Sequence, residues 1–132
     1  MYQKLIIVGN LGKNPELRYS PSGQAVTSFN VATSRTYADG KGAKVKETCW
    51  FRVSMWGKQA ETCNEYLHKG SKVLVEGRLV PDPETGGPKT YARQDGAHGA
   101  SYDVSADAVR FMDSKSEPGS VAEQAEQDEI PW

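Results

Sequence analysis

The sequence lacks the features on which several common protein classes depend. It has only two cysteines, Cys49 and Cys63, which form no C-x-x-C pair and match no zinc-binding spacing, so a disulfide scaffold is not expected. It has only two histidines, His68 and His98, and neither lies near a Ser/Asp or Cys/His pattern. We therefore expect no catalytic residues, no metal and no cofactor, and we expect that the protein is not an enzyme.

Long apolar stretches are also missing. No run approaches the ~20 apolar residues of a membrane helix, and the opening MYQKLIIV carries no small-residue cleavage site of a secretory signal. These absences predict a cytoplasmic protein that does not enter a membrane. The 132 residues, 37% of them hydrophobic and 25% charged, fit one globular domain.

Charge is unevenly distributed along the chain. Residues 1–112 carry 15 Lys and Arg against 11 Asp and Glu, a net charge of +4, whereas residues 113–132 carry one lysine and six acids, a net charge of −5. A basic body favours a polyanionic partner, and an acidic tail is typical of a solvated interaction segment. The tail is rich in Glu, Gln and Ser and lacks hydrophobic periodicity, so we predict a folded domain at 1–112 and a disordered tail at 113–132.

Apolar patterns predict five strands and one helix in the body. The strands are expected at residues 2–9, 25–37, 48–56, 71–80 and 101–112. Gly9 and Asn10 end the first strand, and residues 38–42 form a hairpin loop. Helical spacing within residues 58–69, with Gly70 as a C-terminal cap, places a helix between the third and fourth strands. This order is typical of the OB-fold, an all-β five-stranded Greek-key barrel, and the helix position favours it over an SH3-like barrel.

The third strand carries the most informative pattern. Its odd positions from Cys49 to Met55 are all apolar, whereas its even positions include Trp50, Arg52 and Trp56. If the odd side packs on the core, two tryptophans and an arginine face outward. Exposed rings stack on bases and basic side chains follow phosphates, so the pattern predicts binding of a single nucleic-acid strand. The same rings would equally suit burial in a subunit interface, and the pattern alone favours neither interpretation.

Around these residues the sequence resembles the bacterial single-stranded DNA-binding protein family. The resemblance extends through LIIVGNLGKNPELRYSPSGQAVTSFNVATS, ETCWFRVSMWGKQAE and EYLHKGSKVLVEGRL, in the family's order and spacing. It implies one OB-fold per chain and a homotetramer that wraps single-stranded DNA without sequence specificity. It also implies a nucleoid-associated role in DNA replication, recombination and repair.

The resemblance further implies which residues bind DNA. The family's stacking positions fall on Tyr37, Trp50 and Trp56, where Tyr37 replaces a more usual tryptophan and Trp56 a more usual phenylalanine. Both replacements retain a ring that can stack. A fourth ring belongs to the loop or hairpin expected at residues 81–100; here an insertion at residues 81–88 precedes Tyr91, which is the candidate. Phosphate contacts are implied at matching basic positions, with two added by proximity: Lys4, Arg52, Lys58 and Lys69, then Arg35 and Arg93.

The last residues resemble the family's partner-binding tip, an acidic segment with a final proline and phenylalanine that docks replication and repair proteins. Here the tip comprises Asp128, Glu129, Ile130, Pro131 and Trp132, so a tryptophan replaces the phenylalanine. The acidic tail argues against a related primosome-type OB protein, and the absence of clustered carboxylates in the sequence argues against an OB-fold nuclease. A purely protein-binding adaptor remains an alternative.

Overall fold

The computed structural model describes residues 1–112, which form seven strands and one helix. In chain order these are β1 (Leu5–Leu11), β2 (Glu16–Tyr19), β3 (Ala25–Ala38), β4 (Lys44–Trp56), α1 (Lys58–Tyr66), β5 (Lys72–Leu79), β6 (Lys89–Ala92) and β7 (His98–Phe111). The predicted disordered tail and its partner-binding tip lie outside the described residues.

Five of these strands close into a barrel. Their hydrogen-bonded order is β1, β5, β7, β4, β3, and β3 returns to pair with β1. The pairing of β4 with β7 is parallel, whereas the other barrel pairings within residues 1–112 are antiparallel. This closed order, with one short helix before β5, is that of the OB-fold, and the predicted fold is confirmed. The helix was predicted to follow the third strand, and that strand is β4 here because the short strand β2 also precedes it.

The core consists of the inward-facing side chains of the barrel strands. Its most buried members are Val31, Val53, Val73, Val75 and Val104. Helix α1 covers one end of the barrel with Ala60 and Cys63, and the buried hydroxyl of Thr27 donates a hydrogen bond to the carbonyl of Ala60. Cys63 is a core residue, because its side chain is only 2% exposed, and this burial raises the pKa of its thiol to about 11.

The bounds of the first strand differ from those predicted. β1 begins at Leu5 and continues through Gly9 and Asn10 to Leu11. The backbone stays extended there because β1 pairs with β5 and then reaches β3 at Asn10 and Leu11. A Cβ at Gly9 would collide with the carbonyl oxygen of Ala32, so this glycine allows two strands to approach closely instead of ending one. The short strand β2, which flanks β3, was not predicted.

The helix also ends earlier than predicted. Its last residue is Tyr66, and Leu67 leaves it with extended backbone, although the Leu67 N–H still bonds to the carbonyl of Cys63. Gly70 is therefore not the cap; its φ of 92° belongs to the turn that enters β5.

The two hairpin regions carry the candidate rings outside β4. Residues 81–100 were expected to form either a loop or a hairpin. The structure shows a hairpin, in which β6 pairs with the first part of β7. The β3–β4 turn is bounded by Asp39 and Ala43, and the N–H of Asp39 donates a hydrogen bond to the carbonyl of Ala43. The turn therefore lies one residue later in the chain than the loop predicted at 38–42.

Candidate nucleic-acid interface

The outward side of β4, comprising Trp50, Arg52, Ser54 and Trp56, is called the tryptophan face below. The exposed fractions of Trp50 and Trp56 are 51% and 46%, whereas their inward neighbours Val53 and Met55 are 0% and 4% exposed. The predicted alternation of this strand is thus confirmed. Arg52 is exposed and forms no ion pair with a carboxylate of residues 1–112, so its guanidinium is available to an anionic ligand.

Trp50 is held in place by a glycine on the neighbouring part of the barrel. Atoms Cζ3 and Cη2 of its ring lie 2.5 and 2.6 Å from the position that a Cβ of residue 12 would occupy. The φ of Gly12 is not in the left-handed region, so glycine is required here for space. The ring covers the Gly12 backbone on one side and stays open to solvent on the other.

Tyr91 is seated in the same way on the β6–β7 hairpin. It pairs in register with Gly99, and its ring atoms occupy the space that a Gly99 side chain would need. The role of these two glycines was not predicted from the sequence, because nothing in the residues around either one indicates that an aromatic ring will lie against it.

A groove brings three of the predicted residues together. Trp50, Arg52 and Tyr91 line it, and Asn30 and Ala100 are also among its lining residues. A second depression continues from Arg52 along β2 and β3, and is lined in part by Lys13, Asn14 and Ser28. The groove therefore offers two aromatic rings and one free arginine to a single extended ligand.

Tyr37 does not lie on the tryptophan face. In the alternation of the β3–β4 ribbon it shares the odd-numbered positions with Arg35 and Glu47, whereas the tryptophan face has the even-numbered ones, and these three residues are called the hairpin cluster below. Arg35 Nε donates to Glu47 Oε2 at 2.9 Å, and Arg35 Cζ lies 4.9 Å from the centroid of the Tyr37 ring. A hydrogen bond with Glu47 raises the pKa of the Tyr37 hydroxyl, and the hydrogen bond from Arg35 lowers the pKa of Glu47.

The other predicted basic residues are dispersed. Lys4 lies beside Glu76 of β5, with Nζ 3.6 Å from Oε2, and is not on the β3–β4 surface. Lys58 begins α1 two residues after Trp56. Arg93 is exposed in the β6–β7 turn, two residues beyond Tyr91.

Lys69 is positioned through its backbone. Its N–H donates to Oδ1 of Asn14 at 2.8 Å, and Asn14 lines the depression that continues from Arg52. The side chain of Lys69 therefore begins next to that depression, although the two segments are far apart in the sequence.

Residues 1–112 contain no group of three or more His, Cys, Asp or Glu side chains placed to hold a metal ion. No helix among them is long and apolar enough to span a membrane.

A closed OB-fold barrel with half-exposed rings beside a free arginine is typical of proteins that bind oligonucleotides. Residues 2–112 match the Single-strand binding protein family, and this chain belongs to that family. The resemblance stated from the sequence is confirmed.

Relatives and a solved structure agree with this assignment. The chain is 40% identical over 115 residues to the single-stranded DNA-binding protein of Wolinella succinogenes, covering 87% of this chain and 67% of that protein. It is 38% identical to the Helicobacter hepaticus protein of the same name, covering 87% of this chain and 64% of the relative. A deletion mutant of the single-stranded DNA binding protein from Thermus aquaticus superposes with a TM-score of 0.65 at 26% identity, covering 86% of this chain and 52% of that one. The chain thus spans about half to two thirds of the length of these proteins.

The contact between Trp50 and Gly12 predicts the effect of a single methyl group. Gly12→Ala is expected to displace the Trp50 ring and change the near-ultraviolet circular dichroism of the protein, because the Cβ would overlap the ring. Gly40→Ala is the matched control, since Gly40 has an ordinary φ and nothing within 4 Å of an added Cβ. Identical spectra for the two variants would show that Gly12 does not position Trp50.

Proposed function

We propose that this protein binds single-stranded DNA without sequence specificity and protects it during replication, recombination and repair. The observation that carries the proposal is the tryptophan face, where Trp50 and Trp56 are half exposed on one strand with an unpaired Arg52 between them. Membership of the single-strand binding protein family and the names of the relatives support DNA as the ligand. Such a protein would act in the cytoplasm, on nucleoid DNA.

The chemistry of the proposed contact is stacking combined with phosphate pairing. Each base presents a π-face, so a ring stacks on any of the four bases at about 1–3 kcal/mol per base. Trp50 and Tyr91 line one groove with Arg52, which places stacking surfaces next to a cation for the adjoining phosphate. Because neither interaction reads a base edge, the geometry favours binding without sequence preference.

Removal of the Trp50 ring should test this contact directly. Trp50→Ala is expected to weaken binding of oligo(dT) by about 1–3 kcal/mol, measured by fluorescence titration. Tyr66→Ala is the control, because Tyr66 is an exposed ring (61%) on α1, away from the tryptophan face. Equal affinities for the two variants would contradict stacking on Trp50, and a wild-type protein that binds no oligonucleotide at any salt concentration would support the protein-binding adaptor instead.

We also propose that the chain assembles as the homotetramer that its family resemblance implies. β1 pairs with β5 from Leu5 to Asn10 but reaches β3 only at Asn10 and Leu11, so one edge of residues 5–9 has no strand partner within residues 1–112. The apolar side chains of Ile6 and Val8 are 59% and 38% exposed on the same strand. An unpaired edge with apolar side chains favours pairing with another chain.

A charge on β1 should therefore disturb assembly. Ile6→Glu is expected to reduce the mass measured by light scattering below four chains, because burial of the carboxylate in a subunit contact would be unfavourable. Tyr19→Glu changes a side chain of similar exposure, 61%, on β2 and is expected to remain tetrameric. A tetramer for both variants would place the contact elsewhere, and a wild-type monomer would refute the assembly.

The acidic tail is proposed to recruit replication and repair proteins through its tip, residues 128–132, outside the described structure. Burial of an aromatic side chain the size of Trp132 contributes about 1.5–3 kcal/mol, and Asp128 and Glu129 would pair with a basic rim. Trp132→Ala should lose proteins that the full chain recovers from a lysate of the source cell, whereas Val121→Ala in the same tail should keep them. Identical recovered proteins from all three chains would refute docking through the tip.

A further inference from the structure

The hairpin cluster holds its arginine in a way that the tryptophan face does not. Arg35 and Glu47 are directly opposite in the β3–β4 register and are joined at 2.9 Å. The same guanidinium lies over the Tyr37 ring, with Cζ 4.9 Å from the ring centroid. Arg35 thus contacts both Glu47 and Tyr37, whereas Arg52 has no such partner among the described residues.

This cluster lies within reach of a strand bound at Trp50. Arg35, Glu47 and Trp50 line one depression at the edge of β4, next to Tyr102. The side chains of Arg35 and Glu47 are 65% and 51% exposed, so an incoming anion has access to the pair. Exposed ion pairs are weak, which makes this one displaceable.

We propose that Glu47 is an internal competitor of DNA phosphate for Arg35 and thereby limits the affinity of this end of the interface. This inference rests on the proposed function. In the free protein the carboxylate offsets the charge of the guanidinium and keeps it over Tyr37, so that the pair attracts a phosphate less than a free arginine would and the covered side of the ring is not available. A phosphate that approaches must displace Glu47 and is also repelled by its charge, and Arg35 therefore contributes little to binding while Glu47 is present.

Removal of the Glu47 charge should release Arg35 for binding. One phosphate contact on a single strand changes the slope of log affinity against log salt by about −0.7, which corresponds to about eightfold in affinity between 1 M and 50 mM salt. Glu47→Gln is thus expected to bind oligo(dT) about eightfold more tightly at 50 mM salt, with a slope steeper by about 0.7. Arg35→Gln alone is expected to give no gain in affinity, because it leaves the Glu47 charge in place, whereas Arg35→Gln combined with Glu47→Gln should abolish the gain.

Glu61→Gln is the control for a general effect of charge. Glu61 is an exposed acid in the first turn of α1 and lines neither depression beside Arg52, so this variant removes one negative charge without releasing Arg35. It is expected to leave the slope unchanged. Without DNA, the Arg35 Nε–Hε resonance should shift in Glu47→Gln and stay in place in Glu61→Gln.

The outcomes separate the inference from the function on which it rests. An affinity gain that persists in the Glu47→Gln and Arg35→Gln double variant would be a general effect of charge and would overturn the competition, as would a Glu47→Gln variant with no gain. Failure of every protein, including the wild type, to bind oligo(dT) would refute the proposed function, and the inference would fall with it.

Discussion

The register of β4 is the constraint on which the rest of the structure depends. This strand pairs with β3 from Val26–Trp56 to Ala38–Lys44 and, on its other edge, in parallel with β7. Side chains alternate across a strand, so burial of Val53 and Met55 leaves the tryptophans and Arg52 outside. A slip of one residue would move two indoles into the core and the valine to solvent. The same pairings that stabilise the barrel therefore also position the candidate interface.

Exposed rings on such a surface stack more favourably when their orientation is restricted before a ligand arrives. Trp50 and Tyr91 are each packed against a glycine, Gly12 and Gly99, so that the backbone supports one side of the ring. A ring that is already oriented loses less side-chain entropy when a base stacks on it. The two glycines thus belong to the candidate site, although they have no side chain to offer to a ligand.

Much of this arrangement can be predicted from local sequence, because the OB order and the sides of β4 depend on short-range periodicity. The contacts of the glycines cannot be predicted from local sequence, because Gly12 and Trp50 meet only after β1 and β4 have both joined β3. The ion pair of the hairpin cluster could not be predicted either, because it depends on the exact position of the β3–β4 turn. The Asp39 side chain accepts the N–H groups of Lys41 and Ala43, so the turn is centred one residue later than the loop expected at 38–42. That displacement moves the partner of Arg35 by two residues, to Glu47, and with it the ion pair.

The distribution of charge explains why local geometry matters more here than net charge. Residues 1–112 have a net charge of only +4, and several of their cations are already paired, among them Lys4 with Glu76, Arg18 with Glu16 and Arg35 with Glu47. At physiological ionic strength the field of exposed charges decays over ~8 Å. Attraction of a polyanion therefore depends on the few unpaired cations that lie beside a ring, of which Arg52 is the clearest. Under the proposed function, stacking, which salt screens little, would supply the remaining affinity, and the aromatic side chains rather than the overall charge would determine where a strand is held.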